Sequence, residues 1–158
     1  MSPVSERYGF ELPLMLGGAF RSIIDELHAE LALRGHAAAR PVHGFALQAI
    51  GPDGTTISEL GRRLGVSKQA AAKTAAGLVS LGYADREPDL DDARATRLRR
   101  TPQGDELLRT SAEIFELLRA RWIEELGVDR VRALEEDLET MTARGGGAKV
   151  ADLPGWMR

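Results

Sequence analysis

The segment from Thr56 to Arg86 constrains this chain more than any other part of it. It runs Ile57-Ser-Glu-Leu-Gly-Arg-Arg-Leu64, then Gly65-Val66, then Ser67-Lys-Gln-Ala-Ala-Ala-Lys-Thr-Ala-Ala-Gly-Leu-Val-Ser-Leu-Gly82. This pattern predicts two compact helices joined at a glycine. Thr56 caps the first, with Glu59 completing a Thr-x-x-Glu capping box. Gly65 suits the left-handed position after Leu64, and Ser67 caps the second helix. A pair of helices whose second member opens on a small cap and carries outward basic and amide side chains is a helix-turn-helix, the arrangement that presents a reader to DNA.

Charge supports that expectation. The sum over the 158 residues is −3, yet residues 61–104 hold nine Lys/Arg against five Asp/Glu, a net charge of +4, which leaves −7 for the rest. A basic face on an acidic body is the electrostatic footprint of a DNA reader.

Tyr83–Glu87 and Thr96–Thr101 read as two short strands around a polar tip, Pro88 to Ala95. On the second strand Arg97 and Arg99 share one face and Leu98 points to the core. Before the reader, Phe20, Ile23, Ile24, Leu27 and Leu31 recur at helical spacing from Leu12 to about Leu33. A short helix from Val42 to Ile50 buries Phe45, Ala46 and Ala49, and Gly51-Pro-Asp-Gly54 is a turn. After Pro102 a long helix runs toward Leu126 with Leu108, Ile114, Phe115, Leu118 and Trp122 inward. A last helix, about Asp129 to Thr142, carries a stripe of Val131, Leu134, Leu138 and Met141. Residues 1–9 read as a loose arm, and 144–158 as a tail after Arg144-Gly-Gly-Gly147, with Trp156 in it. The expected fold is mainly α with a small β-hairpin wing.

The chain reads as a single domain, 1–158. Residues 42–101 form the winged lobe, and helices in 10–35 and 102–143 are long and apolar outside it. A monomer of this size has little to cover those helices, so packing against a second copy is expected, which suits a two-fold DNA site.

At 100° per residue, Gln69, Ala72, Lys73 and Ala76 fall on one face of the second reader helix, and Ala71, Thr74, Ala75 and Leu78 on the other. The first set is expected in the major groove. Gln69 suits an adenine edge, Lys73 guanine or phosphate, and Ala72 a thymine methyl. Ser67 and Lys68 sit at the positive helix end and suit phosphates. Arg94, at the wing tip, suits the minor groove, with Asp92 orienting it or fixing the turn. Arg97 is counted with the DNA-facing cations. Asp89 and Asp91 would repel phosphate unless paired inward.

No cysteine is present, so disulfides and thiolate metal sites are excluded. His28, His36 and His43 lack the i, i+4 spacing of a helical metal pair, and no phosphate loop, nucleophile elbow or catalytic carboxylate pair appears. An enzyme, a metal site and a bound cofactor are therefore not expected. No apolar run is long enough to span a bilayer and no cleavable signal is visible, so a cytoplasmic protein without membrane contact is expected. The rival to a DNA reader is a winged-helix protein-interaction module whose DNA face is vestigial. Such a module should lose the exposed basics at Lys68, Lys73, Arg94 and Arg97, and here all four are present.

These residues resemble the MarR family of winged-helix transcriptional regulators. The likeness rests on Ile57-Ser-Glu-Leu60, Leu64-Gly-Val-Ser67 and Leu78-Val-Ser-Leu-Gly82-Tyr83. It continues in a wing, Asp89-Leu-Asp-Asp92-Ala-Arg94, that closes on Thr101-Pro-Gln-Gly104. Ala93 replaces the first of the family's paired arginines, so wing anchoring is expected to rest on Arg94. Arg100 stands where an apolar residue commonly precedes the Thr. The resemblance implies a homodimer with interlocked end helices on a pseudo-palindromic double-stranded operator, repression, and release by a small aromatic or phenolic ligand. Its candidate pocket walls are Phe10, Leu14, Phe20, Phe45 and Trp122.

Overall fold

A computed structural model of the chain describes residues 7–147. Its elements are α1 (Glu11–Leu33), α2 (Pro41–Ile50), β1 (Thr55–Thr56), α3 (Ile57–Leu64), α4 (Lys68–Ser80), β2 (Ala84–Pro88), β3 (Thr96–Arg100), α5 (Pro102–Leu126) and α6 (Val128–Ala143). The expected arm at 1–6 and the tail at 148–158, with Trp156, lie outside the described residues.

The sheet holds three antiparallel strands in the order β1-β3-β2. The hairpin is the expected one, with Ala84 opposite Arg100 and Pro88 opposite Thr96. Strand β1 was not expected. Its two residues pair with Arg97 and Leu98 of β3, too short a run for any alternation to register in sequence. It turns a free hairpin into a sheet tied to the body just ahead of α3.

The core gathers Ile24, Leu27 and Leu31 of α1, Leu47 and Ile50 of α2, Leu60 and Leu64 of α3, and Ala71, Ala75 and Leu78 of α4. Leu98 of β3 and Leu107, Ile114 and Leu118 of α5 complete it. Each fully buried Leu or Ile contributes about 1.5–3 kcal/mol. Helix α2 departs from its expected pattern. Leu47 and Ile50 are fully buried, while Phe45 is half-buried. This helix packs on α3, α4, α5 and β3, so it has no single apolar stripe to read.

Spacing places Phe115 inward, yet 38% of it is exposed, and Trp122 is half-buried. Along the α6 stripe Val131 is buried, whereas Leu134, Leu138 and Met141 are exposed. The first turns of α1 likewise expose Leu12, Leu14, Met15 and Leu16. The helical periods are right, but a single copy of the chain does not cover these faces.

Candidate nucleic-acid interface

Both reader helices begin with the side-chain caps their sequences promise. Thr56 Oγ1 accepts the Glu59 N–H at 3.2 Å, and Ser67 Oγ accepts the Ala70 N–H at 3.1 Å. Gly65 adopts φ 65° and ψ 33°, the left-handed stop between them. Only half of the expected capping box forms. The Glu59 carboxylate pairs instead with Arg62 and Arg63, and Arg63 Nη1 donates to the Ala49 carbonyl at 2.7 Å. These contacts moor α3 to α2, a role for Arg63 that helix spacing alone does not disclose.

Helix α4 divides as expected. Ala71, Ala75 and Leu78 are buried, while Gln69, Lys73 and Ala76 are exposed and Ala72 is half-buried. Small residues on the inner side let α4 lie close to α3. A Cβ at Gly61 would stand 3.1 Å from the Val66 carbonyl oxygen and 3.4 Å from Ala71 Cβ. Ser67 and Lys68 are exposed at the helix start.

The wing tip is fixed by its own backbone. Asp92 Oδ1 accepts the Arg94 N–H at 2.9 Å, its carbonyl accepts the Ala95 N–H at 2.9 Å, and Asp89 N donates to the Ala95 carbonyl at 3.0 Å. Asp92 thus shapes the turn, one of the two roles expected of it. The Arg94 side chain is exposed and has no ion-pair or hydrogen-bond partner among the described residues.

Arg97 is placed differently from the expected set. Its Nη2 donates to the carbonyls of Asp53 (3.0 Å) and Gly54 (3.2 Å), and Nη1 lies 3.8 Å from the Asp89 carboxylate. Its fork spans the α2–β1 turn and the wing, so Arg97 and the inward-turned Asp89 do the anchoring expected of Arg94. Its carbonyl partners lie in a turn more than forty positions earlier in the chain, which sequence spacing cannot reveal. Arg99 pairs with Glu87 at 3.0 Å. Arg100, the departure at the end of β3, meets Asp105 of α5 at 2.8 Å.

Most arginines of the lobe are therefore neutralised within the chain. Arg62, Arg63, Arg97, Arg99 and Arg100 each have an acidic partner. Lys68 and Lys73 on α4, Arg86 on β2 and Arg94 at the wing tip are exposed with no such partner among the described residues. Arg86 is an addition to the expected set, signalled in sequence by its charge alone.

The aromatic candidates do not gather. Phe10 and Leu14 are 64% and 67% exposed near the start of α1. Phe45 lines a cavity of about 160 Å³ between α1, α2 and α5, together with Ile24, Leu27, Leu107 and Phe115. Phe10, Leu14, Phe20 and Trp122 do not line it. A wider groove of about 940 Å³ runs between the α1–α2 link and α4, and Phe45 and Lys73 both face it.

The histidines are satisfied singly. His36 Nδ1 lies 2.9 Å from the Tyr83 hydroxyl, and His43 Nδ1 accepts the Arg40 N–H at 3.0 Å. Burial pushes the His28 and His43 pKa values below the ordinary 6.5, and the Tyr83 phenol up. Among the described residues no three His, Cys, Asp or Glu side chains are placed to hold a metal. No helix there is long and apolar enough to cross a membrane.

Residues 40–95 match the sequence model of the MarR family. No curated protein sequence matches the chain. Among the solved structures that share its fold are the following three. The transcriptional regulator Tm0710 of Thermotoga maritima is 24% identical, with a TM-score of 0.64 over 86% of this chain and 96% of that one. RV1404 of Mycobacterium tuberculosis is 20% identical, with a TM-score of 0.71 over 92% and 99%. A cysteine-to-serine variant of Escherichia coli MarR complexed with operator DNA is 21% identical, with a TM-score of 0.66 over 83% and 93%. Residues 40–95 thus match the MarR-family model, and the chain as a whole shares the winged helix-turn-helix fold of these three structures over most of its length.

Proposed function

We propose that the chain is a sequence-specific DNA-binding transcriptional regulator, acting as a repressor from a pseudo-palindromic operator as a homodimer. One observation carries the reading. Most arginines of the lobe are neutralised internally, while Lys68, Lys73 and Arg94, on the reader helix and the wing tip, have no ion-pair partner among the described residues. Gln69, Ala72 and Lys73 are assigned to base edges, Ser67 and Lys68 to phosphates, and Arg94 to the minor groove. Arg97 serves the same surface by holding the wing in place. The operator complex of E. coli MarR, which has this fold, supports the assignment.

Residues 42–101 form the DNA-binding lobe, and 10–35 with 102–143 the dimerisation helices. The exposed apolar faces of α1 and α6 are what a second copy would cover. A small aromatic or phenolic ligand is assigned to the cavity beside Phe45, whose volume of about 160 Å³ matches a single ring. There it would touch both the reader lobe and the dimerisation helices. It releases DNA only by binding the non-fitting lobe spacing more tightly than the fitting one.

The test is binding to DNA from just upstream of the chain's own reading frame, by fluorescence anisotropy across a salt series, against random DNA. A dimer that neutralises about six phosphates loses on the order of 10³ in affinity from about 50 to about 200 mM salt. Preference for the upstream fragment with that steepness is the expected result. A shallow slope without preference would instead point to a protein-interaction module. In the same assay Gln69→Ala is expected to reduce preference for the specific fragment while leaving random DNA nearly unchanged. Equal losses on both would make Gln69 a phosphate contact.

A further inference from the structure

We propose that His43 is an acid-labile latch: its protonation uncaps the first turn of α2 and loosens the α2 surface on which α4 rests. The ring is buried in that turn. Its Nδ1 accepts the Arg40 N–H at 3.0 Å, and the His43 N–H donates back to the Arg40 carbonyl at 2.9 Å. A ring nitrogen that accepts a hydrogen bond carries no hydrogen, so the neutral ring holds its proton on Nε2. That Nε2 lies against α4, 3.4 Å from where a Cβ on Gly77 would stand. Adding a proton to Nδ1 sets a donor against the Arg40 donor, so the side-chain bond that caps the turn is lost and only the backbone bond still closes it.

Among the described residues that line its groove, none carries a negative charge to compensate the new one. Helix α2 has no other ionisable side chain. The α1–α2 link contributes Arg40, and α4 contributes Lys73 to the groove that His43 lines. No carboxylate lines that groove. Helix α1 contributes His28, itself shifted downward, first by burial. Burial, Arg40 and His28 all hold the His43 pKa below 6.5.

The direction of the pH effect follows. The unfolded chain binds the extra proton at higher pH than the folded one does. His43 therefore costs nothing above pH 6.5, and stability falls as pH drops through 6.5 toward the folded value. In that window opening grows by up to about tenfold per pH unit. Because α4 is the reader, acid also weakens DNA binding, a consequence that rests on the function proposed above. The latch itself does not need DNA.

Imidazole nitrogen NMR on the full chain, with hydrogen exchange at Arg40, tests the latch from about pH 7.5 to about pH 5. The expected result is an Nε2–H tautomer that titrates below 6.5, with Arg40 protection falling up to about tenfold per pH unit. In His43→Asn, an amide oxygen replaces Nδ1 as acceptor and cannot become charged, so protection should stay level apart from the His28 contribution. A midpoint at or above 6.5 in the wild type overturns the latch, and so does Arg40 protection that falls no further than in the variant. Anisotropy on both proteins over the same range separates the two readings. Absence of DNA binding at neutral pH sinks the DNA reading and leaves the latch to stand or fall on exchange.

Discussion

Gly104→Ala is expected to lower the folding stability by about 3 kcal/mol, the upper end of what forced overpacking costs. A Cβ at Gly104 would stand 2.1 Å from the Tyr83 carbonyl oxygen, 3.1 Å from its carbon and 3.3 Å from Leu47 Cδ2. The obstacle is backbone, so no side-chain rotation relieves it. That carbonyl also accepts the Thr101 N–H at 3.1 Å, while Thr101 Oγ1 donates to the Gly82 carbonyl at 2.6 Å and accepts the Gly104 N–H at 3.1 Å. The first turn of α5 is thus bolted to the link between α4 and β2, and the two segments must move apart to admit a methyl. Urea unfolding should show a lower midpoint with the slope unchanged. Gly44→Ala is the control, because nothing lies within 4 Å of its missing Cβ. In mid-helix it should be neutral or stabilise by about 0.5–1 kcal/mol. A Gly104→Ala midpoint no lower than the control's would remove the close approach as the reason for this glycine.

Arg94→Ala is expected to weaken operator binding by about 1–3 kcal/mol while the dimer stays intact. The turn that presents Arg94 is held by Asp92 and by the Asp89–Ala95 backbone contact, and the wing beneath it by Arg97. None of these uses the Arg94 side chain, so its truncation should leave the tip in place and remove only the guanidinium. Anisotropy gives the affinity and sedimentation the oligomeric state. Unchanged affinity would take the wing tip out of the mechanism. Lost affinity together with dissociation would show that Arg94 acts through folding or assembly instead.

The signals that were legible in sequence are local ones. Thr56, Gly65 and Ser67 are read correctly because a cap or a left-handed stop depends on a few neighbouring residues. The two faces of α4 follow from a 3.6-residue period and small side chains. The hairpin follows from alternation around Leu98. Even the Thr101-x-x-Gly104 pattern is visible, although its reason, the Tyr83 carbonyl, is not. Errors cluster where one element meets several others. Helix α2 touches α3, α4, α5 and β3, so Leu47 and Ile50 are as buried as any residue while Phe45 stands at a cavity edge. Phe115 lines the cavity between α1, α2 and α5 yet stays 38% exposed, because its helix is covered on some sides and open on others. Within one copy of the chain the candidate pocket residues do not line one cavity, since aromatic residues far apart in sequence share no period that would place them in one wall.

By itself the sequence determined the order of elements, the caps and stop of the two reader helices, the outward side of α4 and the turn that carries Arg94. Each depends on interactions spanning a few residues, which a linear pattern records. Tertiary structure alone decided which cations remain available, because neutralisation depends on partners brought together from distant positions. Arg97 reaches back to Asp53 and Gly54, and Arg63 to Ala49. It also decided that His43 faces Arg40 and Gly77 with no carboxylate in its groove, because only the packing of α2 on α4 sets what surrounds a buried ring.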